Sequence, residues 1–179
     1  MKKLYFLALV AITLVSCKQE SKQTETVDET TTLKKENFYV ELETTSSKKD
    51  DFALYFTTDN TNDFNGTQAV WHGVDSLTEE LVTFDIPEEF LPTNLRLDLG
   101  LNKAQDSVVV KKVKLSYLDK NLEFTGDNFF TYFIKDDQFK TKVDSIKKTL
   151  TIYKDGAEYK TPYFYPTQEL TDKITTIVK

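Results

Sequence analysis

From Asn37 onward, large apolar residues recur at every second position. Phe38, Val40 and Leu42 alternate with Tyr39 and Glu41, Phe52, Leu54 and Phe56 with Ala53 and Tyr55, and Val82, Phe84 and Ile86 with Thr83 and Asp85. A period of two sends neighbouring side chains to opposite sides of a pleated strand, so each run predicts a strand with one covered face. The cleanest run is Asn94 to Asn102, entered through Pro92, with Leu95, Leu97, Leu99 and Leu101 on one side and Arg96 and Asp98 on the other. This strand is expected to have a covered face and a wet one, so Asp98→Leu should cost no more than about 1 kcal/mol.

The next strand begins Val108, Val109, Val110 and resumes as Val113, Leu115, Tyr117, so its apolar phase slips by one at Lys111 and Lys112. A β-bulge there would absorb the slip. Asp119, Lys120 and Asn121 predict a tight hairpin loop, because Asn tolerates the left-handed conformation. A second hairpin is expected to start at Leu150 and Ile152, turn at Asp155 and Gly156, return through Tyr159 and end near Pro162. Helical spacing is weak and confined to Asn128–Lys140 and Thr167–Lys179, where Leu170, Ile174, Ile177 and Val178 form one short apolar face. Many short strands without alternating helices predict a mainly all-β fold, an antiparallel β-sandwich or jelly roll with one or two short helices. No internal repeat is visible.

The N-terminus follows a different pattern. Lys2 and Lys3 precede an uncharged run from Leu4 to Val15, the basic and apolar regions of a secretory signal, too short for the ~20 residues of a membrane span. The run closes on Leu14, Val15, Ser16, Cys17, which resembles the lipobox of bacterial lipoproteins, with a small residue directly before the cysteine. The resemblance implies cleavage after Ser16 and lipidation of Cys17, leaving a protein held to the membrane by its acyl chains. An ordinary secretion signal with an incidental cysteine is the alternative. Residues 1–16 are therefore expected to be signal, 17–36 the lipidated cysteine and a tether, and 37–179 one β-sandwich domain. The tether expectation rests on composition: Lys18 to Glu36 holds Thr, Glu, Lys and Gln but no aromatic residue. Lys18, Gln19 and Glu20 are similar to the polar start of outer-membrane lipoproteins, which implies that membrane as the location.

Composition narrows the partners. The chain has 39% hydrophobic and 29% charged residues, with 13 Phe and 9 Tyr to build a core. Its formal charge is −6 and becomes more negative without Lys2 and Lys3, which argues against nucleic acid and against electrostatic attachment to anionic lipid. Cys17 is the single cysteine, so no intramolecular disulfide can form.

The run Leu95 to Gly100, followed by Val108 to Leu115 and by Phe130, Tyr132 and Phe133, resembles the galactose-binding-like jelly rolls of carbohydrate-binding modules. That resemblance implies a glycan-binding or accessory role without catalysis. Candidate chemistry is sparse. His72 is the lone histidine, and with Cys17 committed to lipid neither a Cys–His pair nor a multi-His metal site can be assembled. Asp59, Asp63 and Asn65, in a loop closing on Gly66, are candidate ligands for a structural calcium, or else a polar turn. Trp71 and His72 are the candidate ligand-binding residues. Trp71 either points outward as a stacking platform for sugar, with Val70, His72 and Val74 inward, or is itself a core anchor. Phe129, Phe130, Tyr132 and Phe133 are expected in the core, with a binding surface as the second reading. A structural or assembly lipoprotein with a protein partner, or a small glycan-cleaving enzyme built on two facing carboxyls, are the competing functions.

Cys17→Ser is expected to leave the domain folded while releasing the protein from the membrane, because Cys17 precedes the tether and the core. Membrane fractionation checks this, and a mutant still in the outer-membrane pellet contradicts the lipid anchor.

Overall fold

The alternating runs become strands in the computed structural model, which describes residues 36–65, 68–154 and 160–179. In chain order they are β1 (Tyr39–Ser46), β2 (Asp50–Thr57), β3 (Ala69–Val74), β4 (Glu79–Asp85), β5 (Asn94–Leu99), β6 (Ser107–Tyr117) and β7 (Lys120–Thr125). After them come a single helical turn, α1 (Phe129–Tyr132), then β8 (Lys140–Asp144), β9 (Thr149–Tyr153), the two-residue β10 (Tyr163–Phe164) and helix α2 (Gln168–Val178). The expected signal segment, Cys17, nearly all of the tether, Gly66, and the turn at Asp155 and Gly156 with Tyr159 lie outside the described residues.

Two antiparallel sheets form the sandwich. The first runs β4-β1-β6-β9-β8, with β7 also paired to β6, and the second runs β10-β5-β2-β3. Val40, Leu42, Val82, Phe84, Val113 and Leu115 of the first bury against Phe52, Leu54, Phe56, Leu95, Leu97 and Leu99 of the second. Each such side chain contributes about 1.5–3 kcal/mol by leaving water. With β9 and β10 counted first, the layers β9-β6-β1-β4 and β10-β5-β2-β3 have the strand order of an eight-stranded jelly roll. β7 and β8 are additions to the first layer.

β6 carries the expected bulge. Glu43 pairs with Lys112 and Thr44 with Val110, so Lys111 is the extra residue, and Val108, Val110, Val113 and Leu115 all stay buried. On its other edge β6 changes partner, from β9 along Ser107–Val110 to β7 along Lys112–Tyr117. The fork lands on Gly126, where a Cβ would overlap the Val110 carbonyl oxygen and the Leu150 amide.

Other expectations need correction. Leu101 lies beyond β5 and is exposed, because the strand stops at Gly100, whose φ of 104° leaves the extended region. The β6–β7 loop is Leu118 and Asp119, one residue earlier than expected, and the left-handed residue is Leu118 at φ 53°. Asn121 is already paired with Ser116. Of the helix expected over Asn128–Lys140 only α1 forms. Phe133 turns extended, bridges to Pro166 and buries with Phe129. The hairpin that contains β9 is made with the preceding β8, a strand whose only large apolar residue is Val143.

Helix α2 matches its expected face: Leu170, Ile174 and Ile177 are buried, and the Thr167 hydroxyl caps it by accepting from the Leu170 amide at 3.3 Å. It packs on α1, β5 and β7, and Thr171 donates to Asn94 Oδ1 at 2.6 Å.

Gly126→Ala is expected to cost about 3 kcal/mol or more, because the methyl has nowhere to go but into backbone. Gly73→Ala, whose Cβ would meet nothing nearer than Asp51 Oδ1 at 3.4 Å, should stay within about 1 kcal/mol. Urea denaturation of the pair checks the contrast.

Candidate functional site

Strand alternation sends one set of side chains from the second sheet away from the core. These are Ala69, Trp71 and Gly73 of β3, Asp51, Ala53, Tyr55 and Thr57 of β2, Asn94, Arg96 and Asp98 of β5, and Tyr163 of β10. Cross-strand register lines them up. Trp71 lies opposite Ala53, Ala53 opposite Asp98, and Asp98 opposite Tyr163, while Tyr55 links Ala69 to Arg96.

The result is a connected aromatic strip. Trp71 meets Tyr55 edge-on at 6.1 Å, and the Arg96 guanidinium sits 4.2 Å over the Tyr55 ring. Phe64, Tyr163 and Tyr165 surround the same guanidinium at 5.7–5.8 Å. Tyr165 touches both Phe64, at 5.6 Å, and Tyr163, at 5.9 Å. Four strands at ~4.8 Å spacing make the strip about 14 Å across. Trp71 is its most open ring, 48% exposed, and a shallow depression lined by Ile134, Lys135, Asp136, Tyr163 and Tyr165 adjoins the other end.

Beneath the rings lies an ion pair. Arg96 Nε donates to Asp98 Oδ1 at 2.8 Å and Nη2 to Oδ2 at 2.9 Å, a bidentate fork between residues two apart on one face. Asp98 is only 8% exposed and the Arg96 side chain 16%, so the face expected to be wet is covered by aromatic rings at this point. Burial lifts the Asp98 carboxyl above its ordinary value, and the bonds from Arg96 offset only part of that. Burial also pulls on Arg96, but Asp98 and the Tyr165 phenol together hold it above its usual value. Folding therefore favours the protonated Asp98. That contribution is complete below the carboxyl's unfolded value and is lost as pH rises through the folded one.

The outward face of the first sheet is of another kind. Lys114 pairs with Glu41 at 3.1 Å, Lys112 with Glu43, and Lys111 with Glu79, a ladder of mostly half-buried cross-strand charges that still reach water and are each worth little.

Of the residues singled out in the sequence, Trp71 lies in the strip. His72, its neighbour, points to the opposite side of β3, half-buried and edge-on to Phe84 at 6.3 Å, so the two do not share a site. In the loop before β3, Asp59 Oδ1 accepts from the Thr61 amide at 3.1 Å and the Thr61 hydroxyl at 2.7 Å, which hold its carboxyl below the usual range. Asp63 and Asn65 are exposed, and among the described residues no group of three His, Cys, Asp or Glu side chains converges to hold a metal. The loop instead delivers Phe64 to the strip. Phe129 and Phe133 are core, as expected, with Phe130 and Tyr132 packed against it.

Sequence reasoning passed over Tyr55, Phe64, Arg96, Tyr163 and Tyr165. Tyr55 and Arg96 were legible as outward positions of alternating strands, and Tyr163, Phe164, Tyr165 alternate between two prolines. Phe64 had no signal, since it reaches the strip through loop geometry. Comparison with protein-family models, with curated protein sequences and with solved structures finds no match.

Asp98→Leu should cost about 2–4 kcal/mol, since it strands the Arg96 charge among rings, whereas Arg96→Met with Asp98→Leu should return to within about 1 kcal/mol of wild type or exceed it. Leu97→Asp, on the core side, should unfold the domain. Denaturant titration of the three variants checks this, and a harmless single Asp98→Leu would contradict the buried pair.

Proposed function

We propose that this protein binds glycan without cleaving it, through the outward face of the β10-β5-β2-β3 sheet, as a lipid-anchored accessory protein of the outer membrane. The observation that carries the reading is the exposed indole of Trp71 continuing through Tyr55 and Arg96 to Tyr163 and Tyr165. The apolar C–H faces of sugar rings stack on flat aromatic surfaces, and phenol and indole edges add hydrogen bonds to hydroxyls. The rings arrive ordered, because each is packed against a neighbour, so little side-chain entropy is lost on binding. Envelope location and anchoring rest on the signal pattern ending at Cys17.

A protein partner is favoured by a separate observation. Phe56 donates its amide to the Gln68 carbonyl, so by alternation the backbone groups of Ala69, Trp71 and Gly73 face the edge of β3 that no described strand pairs, in a strand without a charged residue. Such an edge can accept an added strand. Cleavage by paired carboxyls has less support, since Asp98 has both oxygens held by Arg96.

Affinity electrophoresis in polysaccharide-containing gels tests the proposal. Wild type should be retarded, and Trp71→Ala should weaken binding about tenfold, the equivalent of ~1.4 kcal/mol, with little change in melting temperature, whereas Tyr165→Ala, which also uncovers Arg96, should weaken binding and lower the melting temperature together. Equal retardation of wild type and Trp71→Ala would remove the platform, and a wild type that no polysaccharide retards would leave the protein-partner reading.

A further inference from the structure

The charge layout of the strip goes beyond glycan in general, and we infer that it selects uncharged glycans over uronate-, sulfate- or phosphate-bearing ones. The inference rests on the glycan-binding reading and names the class of ligand for that same face. Anionic sugars are held by free guanidinium or ammonium groups, and Arg is the side chain best shaped to clamp a carboxylate or phosphate. The outward positions of β3, β2, β5 and β10 contain one cation, Arg96.

That cation is already spent. Its Nε and Nη2 are committed to Asp98, its flat face lies on Tyr55, and its side chain is 16% exposed. The pair is neutral as a unit, so among the outward positions the remaining charge is that of Asp51, exposed on β2 at the Trp71 end of the strip; Lys49 lines the same depression as Asp51 and Gly73, with its ammonium 3.1 Å from Asp75. The bordering loop adds Asp59 and Asp63, both exposed. At the far end Lys135 stands 4.0 Å from Asp137, and Asp136 lines the same depression. Among the described residues, an incoming carboxylate or sulfate would thus meet Asp51, Asp59, Asp63 and Asp136 at the rim, the lysines there, Lys49 and Lys135, each standing beside a carboxylate of its own, and beneath them a guanidinium already bonded to Asp98. A neutral sugar needs only the rings and the phenols, since Ala53, between Trp71 and Asp98 in the cross-strand row, is itself fully buried.

The test runs the full-length protein in gels containing xyloglucan, galactomannan or mixed-linkage β-glucan, and in parallel gels containing polygalacturonate, alginate or chondroitin sulfate. Wild type should be retarded by at least one neutral polymer, equally at low and high salt, and by none of the anionic ones, because ring stacking is not screened whereas charge attraction is. Asp51→Lys reverses the rim charge at an exposed position and should gain retardation by the anionic polymers that high salt abolishes. Salt-sensitive retardation of wild type by an anionic polymer, with or without a neutral one, overturns the charge selection and leaves glycan binding intact. No gain by Asp51→Lys also overturns it, and no retardation by either set overturns glycan binding and this inference together.

Discussion

A strand that lines a sandwich must keep its large apolar residues on one side, and β6, with partners along both of its edges, is where this constraint is hardest to meet. Val108 and Val110 are out of phase with Val113 and Leu115, and a regular strand would turn one pair into water. The extra residue at Lys111 resets the phase, so all four stay inside, at the cost of one interrupted rung with β1. The bend falls where β6 exchanges β9 for β7 along its other edge. Gly126 passes through that fork because any side chain there would displace backbone. The layer facing the core and the sheet that bears the aromatic strip both depend on this arrangement.

The two outward faces spend their polar groups differently. On the first sheet, lysines and glutamates pair across strands and remain hydrated, as at Lys114 and Glu41. On the second, an ion pair has been drawn under aromatic rings, where its desolvation is expensive and stability alone gives little reason to keep it. What the pair does supply is order: Arg96 fixes the plane of Tyr55 and gathers Phe64, Tyr163 and Tyr165 from a loop and an edge strand. The outcome is an aromatic surface whose ion pair is internally cancelled.

The polar junction beside the β1–β2 turn illustrates the opposite case, a buried network with an evident structural role. Gln105 accepts from the Ser47 hydroxyl at 2.6 Å and the Lys48 amide at 2.9 Å while donating to Asp50 Oδ2 at 2.8 Å. Asp50 Oδ1 in turn accepts from the amides of Leu101 and Asn102, at 2.6 and 2.9 Å. The turn is thereby clamped to the loop between β5 and β6, with every member satisfied.

Strand content, the inward leucines of β5, the bulge at Lys111 and the buried face of α2 could all be read from the chain, because each follows from local period and side-chain volume. The face of Trp71 could not be read, since an indole flanked by Val70 and His72, with the small Ala69 and Gly73 on its own face, satisfies either orientation until a neighbouring sheet is placed. Nor could the burial of Asp98, which depends on rings supplied by residues 55, 64, 163 and 165, far apart in sequence. The turn at Leu118 escaped prediction because the ladder with β7 imposes φ 53° on a residue that would not choose it. Local alternation decided what lies inside this protein, whereas the character of its outer faces was decided only when the tertiary fold brought distant residues to one surface, a relation that no periodicity along the chain records.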